Sequence, residues 1–173
     1  MLSEFLREAS RELTAYLEHK QLQLPVQDET LGGYRLGSPG VHVGWVPPGM
    51  VLGEGSAVKP PCVILGAAQS LQDNQESTVQ LTLTAVVYDP GHQQWREGTL
   101  QTQMGFEGYG TLLTLLEALQ AYLLGQGALA GWELSGPVTL CTNEEQPWPY
   151  WYGRLEFAVE GPGLPLTRFA DLM

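Results

Sequence analysis

The sequence predicts an α+β fold: a mostly antiparallel sheet packed by a Leu-rich core helix, with an amphipathic helix at the N-terminal end. Three observations point there. Residues 77–88 and 150–160 alternate apolar and polar side chains with the period of two that a half-buried strand requires. Residues 111–124 are almost continuously apolar and rich in Leu, long enough for a buried helix. The 21 Gly and 12 Pro are more than a helix-rich chain usually carries, which points to a sheet with shaped loops. At 173 residues and 43% hydrophobic composition, residues 1–173 are expected to form a single domain with its own core.

Residues 2–20 make the first element. Leu2, Phe5, Leu6, Ala9, Leu13, Tyr16 and Leu17 recur at offsets of three and four, the stripe of an amphipathic helix. Glu4 with Arg7 and Glu8 with Arg11 are opposite-charge pairs on its solvent side. Residues 25–60 then form a Gly/Pro-rich loop region, with one short strand at Val41, Val43 and Trp45 and turns elsewhere. A connection of that length in a small domain usually has a task. Residues 61–68 (PCVILGAA) read as a short apolar strand, and Asp73 with Asn74 as the turn of a hairpin. In the strand 77–88, Val79, Leu81, Leu83, Ala85 and Val87 share the core face.

Asp89, Pro90 and Gly91 end that strand, and a polar loop follows to Gly108. In the helix 111–124, only Thr111, Thr114, Glu117 and Gln120 interrupt the apolar set, so the helix is expected to be covered on most sides. Gly125 and Gly127 stop it. Residues 131–142 read as a strand broken at Gly136 and Pro137. Residues 150–160 read as the last strand, with Trp151, Gly153, Leu155, Phe157 and Val159 on one face. Residues 161–173 are expected to form an extended C-terminal tail.

Net charge is −11, from 8 Lys and Arg against 19 Asp and Glu. Such a chain repels phosphate backbones, so sequence-specific binding of nucleic acid is not expected. The acidic residues are scattered, which fits a solvated surface or, alternatively, a surface that stays near DNA without adhering. The first residues lack the apolar core of a signal peptide, and no apolar run approaches the ~18 residues of a membrane span. Synthesis in a cytoplasm and no membrane partner are the expectations. Cys62 and Cys141 lie in apolar runs without CxxC or histidine spacing. Reduced thiols are expected, a disulfide between neighbouring strands being the alternative.

Catalytic patterns do not emerge. His19, His42 and His92 are far apart and lack metal-ligand spacing, so no metal and no cofactor is expected. The glycines of residues 105–110 (GFEGYG) have neither a strand directly before them nor a phosphate-binding Lys, and read as the turn that starts a helix. Glu144 and Glu145 are adjacent in a Pro-flanked loop, where their side chains diverge. Glu107 or Glu156 would have to come near to make an acid/base pair. The chain is therefore expected not to be an enzyme.

The densest feature is aromatic. Trp148, Tyr150, Trp151 and Tyr152 fall within five positions, with Pro147 and Pro149 among them. Two readings stand: alternate aromatics fill the core and coat the sheet, or they anchor a protein interface. Residues 143–153 (NEEQPWPYWYG), followed by the alternating strand 154–160, resemble the tail terminator proteins of long-tailed phages, also called tail completion or minor tail proteins. That family often carries an acidic EEQPxPYW turn before its last strand. Upstream it has a polar-alternating strand ending in Tyr-Asp and then a Leu-rich helix, matched here by residues 77–89 and 108–124. The resemblance covers about residues 61–161. Residues 1–60 match less well, and the loop 91–108 is longer than the family pattern.

The resemblance implies a structural virion protein: one tail-terminator-like domain assembling as a homo-oligomeric ring, usually a hexamer. Such a ring caps the tail tube and joins it to the head-tail connector or stopper protein, with DNA passing through its lumen. The implied location is the virion, at the tail or neck, after assembly in the host cytoplasm. The interface residues expected on this reading are Glu144, Glu145, Trp148, Tyr150 and Trp151. The alternatives are a head-completion or connector adaptor protein and a stand-alone protein-binding module.

Overall fold

Two helices cover one face of a six-stranded sheet in the computed structural model, which describes residues 1–28, 33–46, 58–73 and 75–163. The elements in chain order are α1 (Leu2–His19), β1 (Leu24–Asp28), β2 (Gly33–Gly37), β3 (Gly40–Val43), β4 (Cys62–Gln72), β5 (Glu76–Tyr88), β6 (His92–Arg96), β7 (Thr99–Gln103), α2 (Glu107–Gln126), β8 (Ala128–Leu129), β9 (Trp132–Thr142) and β10 (Tyr150–Pro162). The sheet order is β3-β4-β5-β10-β9-β8, antiparallel apart from the parallel β3–β4 pair. This is the α+β architecture expected from the alternation.

The pleat explains the core. Trp151 pairs with Val87, Gly153 with Ala85, Leu155 with Leu83, Phe157 with Leu81 and Val159 with Val79. Because the side-chain period is two, this register turns both apolar sets to the same face. Leu112, Leu115, Leu116, Leu119 and Leu123 of α2 and Phe5, Ala9, Leu13 and Leu17 of α1 cover that face, all buried. The helices are tied side by side. Tyr16 and Tyr122 stack at 4.2 Å, Tyr16 donates to the Ala118 carbonyl, and Tyr122 donates to Glu12 Oε1. The other face holds a smaller cluster of Cys62, Ile64, Val86 and Tyr152.

Several elements differ from expectation. Within residues 25–60, β1 and β2 form a hairpin, where the glycines and Pro25 suggest only loop. Residues 29–32 and 47–57 lie outside the described residues. Strand β3 ends at Val43, so Trp45 is not in it. The polar loop 91–108 is also a hairpin, β6–β7, closed by Glu97 and Gly98 at φ 51° and 74°. Two left-handed residues in a two-residue turn match the right-handed twist of a strand pair. All ten strand residues are exposed, so no apolar alternation marks the hairpin in the sequence.

Helix α2 begins at Glu107, so residues 107–110 of the GFEGYG stretch are its first turn, and Gly127 caps it at φ 65° while Gly125 lies inside it. It is not covered on most sides: Leu113 is half-buried and Leu124 is exposed, because the helix lies on one sheet face only. The Glu4/Arg7 and Glu8/Arg11 pairs form no ion pair; the Glu4 carboxylate takes the Met1 ammonium instead. The break at Gly136 and Pro137 is a bulge: Gly136 sits at φ 77°, and the register slips opposite Phe157. Strand β10 runs on to Pro162, and residues 164–173 of the expected tail lie outside the described residues.

The Asp73 turn is as expected, although Asn74 lies outside the described residues. Asp73 Oδ1 accepts from the backbone N–H of Gln75 at 2.7 Å and of Glu76 at 2.8 Å. These bonds, Glu76 first, hold its carboxyl below the usual 3.8. A depressed folded-state pKa stabilises above the unfolded value and is lost as pH falls through the folded one. Asp73→Ala is therefore expected to lower the thermal midpoint at pH 6. The gap to the parent protein should narrow as pH falls through the acid range; a gap that does not narrow on acidification would contradict the assignment.

The sheet's edges are guarded unequally. On β3, Ser10 Oγ donates to the Val41 carbonyl at 2.8 Å, and the Val41 N–H donates to Thr14 Oγ1 at 3.3 Å. Helix α1 thus occupies hydrogen-bonding groups that a foreign strand would use. On β9, Gln120 Nε2 donates to the Val138 carbonyl at 2.9 Å, and Pro137 has no N–H to offer.

Candidate interaction site at the β9–β10 loop

The residues between β9 and β10 are held by a side chain acting as backbone. Gln146 Nε2 donates to the carbonyls of Asn143 and Tyr152, each at 3.0 Å, and Gln146 Oε1 accepts from the Tyr152 N–H at 2.7 Å. The amide supplies the pairing that β10 would otherwise lack where β9 stops. Next comes a turn with a cis peptide between Trp148 and Pro149, closed by Tyr150 N–H donating to the Pro147 carbonyl at 2.9 Å.

The loop is also stitched to the rest of the fold. The Asp89 N–H donates to the Pro149 carbonyl at 2.9 Å, and the Trp151 indole N–H donates to the Asp89 carbonyl at 3.2 Å. Asp89 Oδ1 accepts from Gly91 N–H at 2.9 Å, at the base of the β6–β7 hairpin. The loop and the hairpin therefore leave the same end of the sheet.

The five expected interface residues separate into three groups. Glu144 and Glu145 are exposed, and Trp148 is 41% exposed on the fixed turn. Tyr150 is half-buried, its ring 5.6 Å from that of Tyr88 and packed on the smaller cluster. Trp151 is 5% exposed and faces α2 in the main core. It is a structural residue, and its expected place in an interface is corrected: alternation along β10 sends Trp151 inward. The core reading holds for Trp151 and Tyr152, and Trp148 alone of the four stays exposed.

Some parts of this end carry no clear mark in the sequence. The hairpin presents Trp95, 75% exposed and paired with Leu100, and the start of α2 presents Phe106, 78% exposed. The signal available was Glu97-Gly98 at the centre of a polar stretch. Gln146 is another; nothing in its neighbours marks a half-buried amide clamp.

The titratable groups fall in different places. Glu107 pairs with His92 at 2.8 Å, and Glu156 Oε1 with Arg154 Nε at 2.6 Å. Hydrogen bonding to its own backbone N–H, then to His92, keeps the Glu107 carboxyl below the usual range. Burial pushes the Cys62 thiol up to about 12, away from the nucleophilic thiolate. Cys62 and Cys141 are free thiols on β4 and β9, with β5 and β10 between them. Three strand spacings, roughly 14 Å, exceed the reach of a disulfide. Among the described residues, no three His, Cys, Asp or Glu side chains gather as metal ligands, and no helix is long and apolar enough to cross a membrane.

No family model matches the chain, and no curated protein matches it.

Gln146→Ala is expected to cost about 2–3 kcal/mol, since it removes the amide's bonds and leaves polar atoms of a half-buried loop without partners. Urea unfolding measures it; a loss under about 0.5 kcal/mol would mean that the clamp is dispensable.

Proposed function

We propose that this chain is a structural, non-enzymatic protein of a phage tail, a terminator that caps the tail tube as a ring and joins it to the head-side connector. The observation that carries the reading is the loop 143–150: its sequence resembles the terminator turn, and its hydrogen-bonded backbone carries a 41% exposed Trp148 and the exposed Glu144 and Glu145. A rigid loop loses little conformational entropy on docking, and Trp is a frequent anchor of protein interfaces. The surrounding end adds Trp95, Leu100, Phe106 and Tyr109, all exposed, so the apolar area there is larger than one side chain. Net charge of −11 suits a lumen through which DNA slides, and it suits solubility equally.

Trp148→Ala separates this role from a role in folding. It is expected to change stability by no more than about 0.5 kcal/mol, as exposed substitutions usually do, and to reduce incorporation into tails. Trp148→Ala combined with Tyr150→Ala is a poorer test, because Tyr150 packs on the smaller cluster. Cryo-electron microscopy of particles carrying a tagged chain locates it. Density at the head-proximal end of the tube supports the proposal; a particle without it, or density at the distal end, overturns it.

A further inference from the structure

We propose that strand β7 of one copy adds to the outer edge of β4, along residues 67–72, of a second copy of this chain. Strand β3 pairs with β4 only from Cys62 to Leu65. Beyond a bulge at Ala67 and Gln69, β4 continues to Gln72, bonded to β5 on one side. Among the described residues no strand pairs with its other side, and residues 67–72 are all exposed. An exposed strand edge of that length is a template for another strand. The edges at β3 and β9 are blunted by α1, Gln120 and Pro137, whereas among the described residues this one carries only the bulge at its start, between Ala67 and Gln69.

The hairpin supplies the matching strand. Its Trp95–Leu100 cross-strand pair is exposed, and a two-stranded hairpin alone is marginal in water. Its five-residue β7 (TLQTQ) fits within the six residues of the edge (AAQSLQ). Charge argues for a second copy as the occupant. Copies with a net charge of −11 repel, so they meet most easily where charge is absent. Neither TLQTQ nor AAQSLQ contains a charged residue.

One molecule cannot satisfy both surfaces from its own chain. The edge pairs with residues 77–81 of β5 and the hairpin follows its last residue, Tyr88, roughly 23–36 Å apart along the strand at ~3.3 Å per residue. Copies therefore join head to tail, a heterologous contact that closes into a ring or runs on as a filament. Closure into a ring rests on the terminator reading; the contact itself does not.

The test uses the full chain. Ala68→Lys with Ser70→Lys places two charges on the edge, at exposed positions that leave the core untouched. Sedimentation velocity is expected to show self-association weakened about tenfold or more, with an unchanged circular dichroism spectrum. Added lysines lower the overall repulsion between copies, so the loss cannot be a general charge effect. In a Cys141→Ser background, a Ser70→Cys copy mixed with a Thr102→Cys copy under diamide is expected to give a disulfide-linked pair. Parent-like assembly of the lysine variant, or no cross-link from a mixture that oligomerises, overturns the contact and leaves the ring reading standing. Open polymers blocked by the lysines keep the contact and count against the ring. A parent chain that stays monomeric at every concentration overturns the contact.

Discussion

Trp151→Ala is expected to destabilise the protein by about 3–5 kcal/mol, the range for truncating a large buried aromatic. At this chain length that lowers the thermal midpoint by roughly 10 °C or more. The side chain contributes in three ways. It lies in the main core opposite Val87 of β5. Its indole N–H satisfies the Asp89 carbonyl, at the turn that leads into the β6–β7 hairpin. Its ring fills the space against Gly108, so it sets how closely the start of α2 approaches the sheet. Trp151→Phe keeps most of the area and loses the hydrogen bond, and is expected to cost only about 1–2 kcal/mol. Urea midpoints at constant slope separate the two variants. A Trp151→Ala loss below 1 kcal/mol would mean that the indole is not a core residue.

Gly108→Ala is expected to destabilise by about 1–3 kcal/mol, although Ala is the better helix former by about 1 kcal/mol. The sign depends on geometry. A Cβ at position 108 would sit 2.0 Å from Trp151 Nε1 and 2.3 Å from its Cδ1, so the ring or the helix must move. Both are buried, and the overlap outweighs the propensity gain. The same substitution in a Trp151→Ala background meets no ring and is expected to stabilise. In a double-mutant cycle the double variant is therefore expected to be less destabilised than the sum of the two single changes. Additive effects would show that the helix start and the indole do not touch.

Much of this core was legible in the sequence, for a physical reason. Residues 79–87 and 151–159 alternate because one face of each strand is buried, and burial is what alternation records. The stripe from Phe5 to Leu17 was legible for the same reason, at the helical period. The β1–β2 and β6–β7 hairpins were not: Pro25 and the glycines around β2 read as loop, and β6 and β7, exposed on both sides, leave no apolar period. The missing signal at β6–β7 reflects the property that makes it a candidate for pairing. The edge of β4 beyond β3, unpaired among the described residues, could not be read either. It depends on where β3 stops, and that is a fact of pairing rather than of composition.

The candidate site was half legible. Composition located residues 143–153 but could not divide the aromatics among core, small cluster and solvent. That division follows from the β10 register, which sends Trp151 to α2 and Tyr152 to the opposite face. Trp148 precedes the strand, in the turn that Gln146 braces from behind. The clamp and the turn hydrogen-bond the loop backbone in place and leave Trp148 partly exposed.

The most direct test of the terminator reading is the mass of the assembly formed by the purified chain, with and without purified tail tube protein, by native mass spectrometry. A ring-forming terminator is expected to give a closed oligomer of one fixed stoichiometry, stabilised or nucleated by the tube. A chain that remains monomeric in both conditions and never associates with the tube would contradict it.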